Sequence, residues 1–390
     1  MFKLLKNKIR IYIYILVILV CCVLIVPEIR MFFQEMGLRW LYMLFLSFFL
    51  SFSLTPLCRL AAYRFNIVDR PDIRKSHDTA TPLLGGGAVY LSFITAILVN
   101  GIYSQRLWAI LGAASLLFVI GVKDDAQGVS AFLRLGAQLA ACVLVMSFGV
   151  VLHVFPVSWG IFSQTGNVML TILWIIGITN AMNFFDGMDG MAAGLGIIIS
   201  LFLGITAFQM NRPFAGWIAA AMTGSCLGFL PYNFKPEARA EIFLGDAGST
   251  VIGFITACLA VYGDWAQDNP VVPLISPLLI FWILIFDMIH ITIDRIVSGR
   301  VHNLREWVEY VGKDHLHHRI ENVLGSKKKS VLFIYLLSFC LGTSAVVLRN
   351  AGFLEGFLLV VQSVFIVILI TILEHRGQTL AKACIQNKDL

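Results

Sequence analysis

Apolar residues in this chain fall in long unbroken runs. They show neither the alternation of a half-buried strand nor the three-to-four spacing of a helix with one wet face. A bilayer core takes about 20 apolar residues per helix, with a range of about 17–25. Twelve runs approach that length: 10–27, 39–59, 84–102, 107–122, 131–152, 166–182, 190–209, 214–231, 249–263, 272–293, 330–348 and 353–373. Each predicts a membrane-spanning helix. The first follows Lys3, Lys6, Lys8 and Arg10, as the apolar part of a signal peptide would. It is long and lacks a small-x-small cleavage site, so it reads as a retained anchor. The pattern predicts an all-α polytopic membrane protein of about 11–12 transmembrane helices.

Composition agrees. The 390 residues are 58% hydrophobic and 13% charged, with a mean hydropathy of +0.84, where a soluble domain carries about 25% charge. Such a chain cannot build a water-facing surface, and the same figures exclude disorder and a disulfide-rich secreted fold. Cys21, Cys22, Cys142, Cys226, Cys258 and Cys340 sit in apolar runs with no CxxC spacing, as small core or lipid-facing residues. Placing the N-terminus in the cytoplasm puts 24 of the 29 Lys and Arg residues inside. Only Arg30, Arg39, Arg106, Arg212 and Arg349 fall outside, a strong positive-inside bias. The same division gathers the polar chemistry at the cytoplasmic face, whereas a transporter would place ionisable residues near the midplane.

Five cytoplasmic clusters stand out. The first holds Asp69, Arg70, Arg74, Lys75 and His77 before Gly85-Gly86-Gly87. Cations beside a glycine run suit a phosphate surface; a topogenic loop with a close glycine-permitted helix contact is the plainer reading of the loop by itself. Next, Asp124 and Asp125 adjoin at a membrane boundary, where paired carboxylates are costly unless a cation or proton satisfies them. Neighbours on a helix diverge by about 100°, so the two do not chelate one ion symmetrically. A cap on the following span is the alternative. Arg134 and Gln138 follow one turn apart.

The third cluster, Asn180-Ala181-Met182-Asn183-Phe184-Phe185-Asp186-Gly187-Met188-Asp189-Gly190, carries more amide and carboxylate than a turn requires. Such groups suit a nucleobase, sugar hydroxyls or a hard cation. The fourth, Gly245-Asp246-Ala247-Gly248-Ser249, opens a span with a carboxylate beside free backbone N–H groups, a place for Mg²⁺ with substrate phosphates or for a simple cap. The last loop, 294–330, carries His315, His317, His318 and Arg319 among other cations. It suits a diphosphate better than zinc, since no cysteine is near. Lys327-Lys328-Lys329 suit anionic headgroups.

In combination these stretches resemble the polyprenyl-phosphate N-acetylhexosamine-1-phosphate transferases (glycosyltransferase family 4, the WecA/TagO/MraY type). The matching segments, in the family's order, are VDRPDIRKSH with P-x-x-GGG, GVKDDAQGVSAFLRLGAQ, NAMNFFDGMDGMAAG, FLGDAGST, Phe286-Asp287-Met288 and DHLHHR, covering about residues 40–330. The HLHH form is similar to the WecA/TagO branch; the peptidoglycan branch carries three consecutive histidines. Arg134 stands where the family usually has Lys, and the 295–315 loop is several residues longer than in relatives.

The resemblance implies transfer of a HexNAc-1-phosphate, GlcNAc-1-phosphate first, from a UDP-sugar to undecaprenyl phosphate at a cytoplasmic-face active site. A UDP-MurNAc-pentapeptide donor is the alternative. It implies Mg²⁺, replaceable by Mn²⁺, on Asp246 and Asn183, with Asp124 or Asp125 binding or deprotonating the lipid phosphate. Asn180, Asp186 and Asp189 would hold uridine; His315, His317, His318 and Arg319 the diphosphate or sugar; Lys75 and Arg134 would compensate charge. The implied partners are the UDP-N-acetylhexosamine, undecaprenyl phosphate and membrane lipids, with no nucleic acid and with room for a homodimer. In this reading residues 1–38 form an extra N-terminal anchor, 39–330 the transferase core, and 331–390 the last transmembrane helices and a short cytoplasmic tail. The protein would sit in the bacterial inner membrane with both termini cytoplasmic.

Overall fold

A computed structural model describes residues 2–70, 80–235, 237–262, 272–303, 306–307, 310, 312, 314–348, 352, 354–368 and 371. Lys75 and the tail beyond 371 lie outside the described residues. The chain runs α1 (Phe2–Ile25), α2 (Pro27–Glu35), α3 (Arg39–Arg64), β1 (Val68–Asp69), β2 (Thr81–Pro82), α4 (Gly85–Val99), α5 (Gln105–Gln127) and α6 (Ala131–Ser147). It continues as α7 (Ile161–Phe185), α8 (Met191–Gln209), α9 (Pro213–Asn233), α10 (Gly245–Tyr262), α11 (Val272–Ile280), α12 (Trp282–Val297), α13 (Leu316–Leu324), α14 (Lys327–Val347) and α15 (Leu354–Ile368).

Each of the twelve apolar runs carries a helix over most of its described residues, but fewer helices have full spanning length. Among the described residues seven do (α3, α5, α7, α8, α9, α10 and α14), or eight if α1 and α2, bent by 70° at their junction, count as one span. The difference lies in short helices. At about 1.5 Å per residue the 15 residues of α4 reach about 23 Å, less than the roughly 30 Å of a hydrocarbon core. The run at 272–293 is split into α11 and α12 at Phe281.

The centre of the bundle is α10, 83% buried over its apolar window, against 39% for the peripheral α3, α7 and α14. Lipid tails are as apolar as leucine, so helix association in a membrane relies on close packing of small residues. A Cβ on Gly86 of α4 would lie 2.3 Å from the Cα of Gly248 on α10, and one on Gly121 of α5 would lie 2.4 Å from the Cα of Ala247. The start of α10 is therefore wedged between α4 and the end of α5. Backbone bonds complete the junction: Gly85 N–H donates to Phe243 O (3.0 Å), Gly86 N–H to Leu244 O (2.7 Å) and Phe243 N–H to Pro82 O (2.8 Å). β1 and β2 pair antiparallel in a two-stranded ribbon beside it. The glycine run thus makes the close helix contact, the second of the two readings open for it.

Candidate active site

Three of the predicted clusters meet at the N-terminus of α10. Asp125, near the end of α5, accepts the N–H of Asp246 (2.8 Å) on one carboxylate oxygen and that of Ala247 (3.2 Å) on the other. It caps α10 from a neighbouring helix, satisfying two of the donors every helix leaves free. Asp124 turns away, as the divergence of helical neighbours requires. Its oxygens accept Val129 N–H (2.6 Å) and an Arg134 guanidinium N–H (2.9 Å). The same Arg134 nitrogen reaches Asp246 at 3.3 Å. Arg134 thus acts here through one nitrogen, as a point charge and not as a fork.

Asp246 is held from the other side by Asn183, which donates to its Oδ1 and to the Ser249 hydroxyl, each at 3.0 Å. Its side chain remains 39% exposed. Asn180, three residues before Asn183, pairs instead with Gln138: the two amides exchange hydrogen bonds of 2.7 and 3.2 Å.

Past α7 the chain turns through Asp186-Gly187-Met188-Asp189-Gly190. Burial, and then the charges of Asp246, Asp125 and Asp189, push the Asp186 carboxyl well above the usual range. Asp189 accepts the N–H of Ala240 (3.0 Å), tying the turn to the 234–244 segment. Gly190, at φ +82°, is gripped twice. Asn233 accepts its N–H (2.8 Å) while donating to Ile242 O (3.0 Å), and the Tyr335 hydroxyl donates to its carbonyl. Sequence reasoning missed Asn233 and Tyr335. Asn233 carried a signal, as a lone amide ending an apolar run at the polar face; Tyr335, inside a span, carried none.

The histidine segment is mounted on α12. The fully buried Asp287 accepts Leu316 N–H (2.7 Å) with one oxygen and contacts His315 Nδ1 (2.8 Å) with the other. This caps α13 from outside. Arg319, on α13, contacts His290 (3.1 Å) and lies 3.9 Å from Asp287. Arg295 pairs bidentately with Asp314, both bonds 2.8 Å. His317 is 1% exposed, and among the described residues neither ring nitrogen is hydrogen-bonded. Burial, with His318, His315 and Lys327 adding repulsion, lowers it well below the ordinary imidazole value. His318 is lowered chiefly by burial, partly offset by Glu321 at 3.5 Å.

These elements enclose a cavity of about 1020 Å³. Asp125, Asn183, Asp186, Asp189, Asp246 and His318 line it. His315 and His317 are buried, while Asp124, Asn180 and Arg134 make the contacts described above. The far rim adds Arg239, Lys327 and Lys328, with Lys328 donating to Ala238 O (3.2 Å).

The donor set suits a hard divalent cation. Asp125, Asp186 and Asp246 bring three carboxyl groups to one cavity, with Arg134 as the cation beside Asp246. Among the described residues no three His, Cys, Asp or Glu side chains form an enclosing metal cage. One carboxylate plus an amide oxygen, with water and phosphate completing the shell, is the manner of Mg²⁺. Asp246 and Asn183 Oδ1 would provide that pair.

Comparison with known proteins points the same way. Residues 107–264 match the family model for Glycosyl transferase family 4. The chain is 32% identical over 327 residues to the "Probable undecaprenyl-phosphate N-acetylglucosaminyl 1-phosphate transferase" of Bacillus subtilis, spanning 81% of this chain and 87% of that protein. It is 33% identical over 319 residues to the "Decaprenyl-phosphate N-acetylglucosaminephosphotransferase" of Mycobacterium leprae, at 74% and 78% coverage. Against the "Undecaprenyl-phosphate alpha-N-acetylglucosaminyl 1-phosphate transferase" of Escherichia coli it is 27% identical over 328 residues, at 82% and 85% coverage. With this similarity extending along most of both chains, and the family model covering the stretch from Asp125 to Asp246, the chain belongs to glycosyl transferase family 4.

Proposed function

We propose that this protein transfers N-acetylglucosamine 1-phosphate from UDP-N-acetylglucosamine to undecaprenyl phosphate, giving undecaprenyl-diphosphate-N-acetylglucosamine and UMP, as the first membrane step of a cell-envelope polysaccharide. The site faces the cytoplasm of a bacterial inner membrane, with both termini on that side and residues 39–330 forming the transferase core. One observation carries this reading: a half-exposed carboxylate, Asp246, sits at a helix N-terminus in a large cavity with further acids beside it and cations on the rim. That is the charge pattern needed to hold two phosphorylated substrates together.

In the reaction an oxygen of the lipid phosphate attacks the sugar-bearing phosphorus of the donor. The new P–O bond forms as the bond to the uridine-side phosphate breaks, and UMP carries away the electron pair. One diphosphate linkage replaces another, so alignment and neutralisation of anions are the main demands on the site. Asp246 and Asn183 would hold Mg²⁺, which when bound would supply positive charge to neutralise the diphosphate. Arg134, anchored by Asp124, adds a second cation beside Asp246. Asp125 fixes the start of α10 and borders the lipid phosphate. Asp186 and Asp189 bind the uridine end, and His318 reaches the diphosphate. His315, His317 and Arg319 hold α13 in place behind it, and Asn180 holds α7 to α6 through Gln138.

A donor panel tests the substrate assignment. Purified protein with undecaprenyl phosphate and Mg²⁺ releases UMP from UDP-N-acetylglucosamine in preference to UDP-N-acetylgalactosamine and UDP-MurNAc-pentapeptide. Turnover of the pentapeptide donor alone overturns it. Asp246→Asn abolishes Mg²⁺-dependent release; near wild-type turnover in that variant removes Asp246 from the metal site.

A further inference from the structure

A second cavity, of about 490 Å³, lies at the opposite end of the bundle. Helix polarity places it there: α3 begins at Arg39 and runs toward the ribbon, α8 ends beside Phe208, and α9 starts at Pro213 and finishes at the Asn233 clamp. Its walls include Gln34, Arg39, Trp40, Phe208 and Trp217. The short helix α2, turned by 70° from α1, closes one side.

The charge at this cavity is unbalanced. The Arg39 guanidinium lies over the Trp217 ring, 4.3 Å from its centroid, and donates to Asn100 O. Arg30, on α2, donates to Val99 O, and the two guanidiniums repel each other. Among the described residues the Nε of each is buried without a hydrogen-bond partner. Among the described residues neither arginine has a carboxylate partner. Both acceptors are carbonyls at the end of α4, whose dipole supplies only about half a negative charge. Glu28 and Glu35, also on α2, pair with neither guanidinium among the described residues, so only that dipole meets the two cations directly, at a membrane boundary where water solvates them incompletely.

We propose that this cavity binds the phosphodiester headgroup of an anionic glycerophospholipid in the leaflet on that side of the membrane. The phosphate oxygens face the Arg39 guanidinium, with Arg30 adding charge from behind and Gln34 donating a further hydrogen bond. Trp40, Trp217 and Phe208 cover the glycerol and the first acyl methylenes, the role of interfacial aromatic residues. The aromatic walls select a lipid over a free anion: inorganic phosphate would gain the charge but bury no apolar surface. This lipid is distinct from the polyprenyl phosphate consumed at the other face. It would fasten α2 and α3 to the end of α4.

Native mass spectrometry of the full chain released from detergent tests this, using phosphatidylglycerol, diacylglycerol with the same acyl chains, and inorganic phosphate as probes. The wild type retains one phosphatidylglycerol that diacylglycerol does not replace. Loss of one charged contact in Arg39→Gln weakens that retention on the order of ten-fold. Because Arg39 also caps α4, Trp40→Ala serves as the second variant. It leaves both carbonyl bonds intact, weakens phosphatidylglycerol retention, and leaves UMP release unchanged. Three results each overturn the proposal: equal retention of diacylglycerol, displacement of the lipid by inorganic phosphate at matched concentration, or wild-type retention in both variants.

Discussion

The contact between α4 and α10 makes a sharp prediction at Gly86. Replacing it by alanine adds one methyl group and no charge or hydrogen-bonding group. That methyl would sit 2.3 Å from the Cα and 2.4 Å from the N of Gly248, and 3.0 Å from Leu244 O. Ordinary contact begins at 3.4 Å, so the helices must part by about 1 Å. The obstructing atoms are backbone, and no side-chain rotation relieves them. Overpacking of this kind costs typically 1–3 kcal/mol. Stretching the 2.7 Å bond from Gly86 N–H to Leu244 O adds about 1 kcal/mol.

The catalytic effect exceeds the stability effect. Asp246 moves with α10, while Arg134 on α6 and Asn183 on α7 stay behind. A misplacement of about 1 Å can lower a rate about 100-fold. UMP release at saturating substrates, measured beside thermal unfolding in the same detergent, should show kcat down by about that factor, KM little changed and a lower Tm. Gly112→Ala and Gly136→Ala serve as controls. A Cβ there meets nothing within 4 Å, so both should be neutral or stabilising by up to about 1 kcal/mol. Gly86→Ala with wild-type kcat and Tm would refute the wedge. A raised KM at unchanged kcat would restore the phosphate-loop reading of the glycine run.

Three further outcomes follow from the site. Because Arg134 reaches Asp124 and Asp246 through one nitrogen, Arg134→Lys keeps activity within about ten-fold, whereas Arg134→Gln loses about another factor of ten or more; equal rates for the two variants contradict the point-charge role. His317 is buried with its pKa lowered, so its contribution to stability is whole above about pH 6.5 and is lost as pH falls below that value toward its folded-state pKa. The slope reaches about 1.4 kcal/mol per pH unit for one such group; Tm measured from pH 7.5 to 5.5 should fall, and less steeply in His317→Asn, while parallel curves would remove His317 as the source. Tyr335→Phe removes the hydroxyl bond to Gly190 O, costing about 1 kcal/mol of stability but raising KM for the UDP-sugar several-fold, because the turn bearing Asp186 and Asp189 loosens; a Tm shift without any KM change makes Tyr335 purely structural.

The sequence by itself determined the material and the ingredients. Runs such as 190–209 and 214–231 are too apolar to lie anywhere but in lipid or a core, because unpaired backbone in hydrocarbon costs several kcal/mol per group and the helix satisfies it internally. The acids, amides and histidines were legible because each stands out against 58% hydrophobic surroundings. Apolar length fixed helix existence but not spanning length: α4 stops at 15 residues and the 272–293 run breaks at Phe281. Tertiary structure alone decided which polar group meets which. Asp125 turns to α10 and Asp124 to Arg134 because of where each falls on one helical turn and what packs there. His315 is buried against Asp287, 28 positions earlier in the chain, while His318 reaches the cavity. Asn180 is occupied by Gln138, and Asn233 and Tyr335 converge on Gly190. At α10 the distances are set by glycine contacts with α4 and α5, and helical periodicity within one segment carries no information about its neighbours.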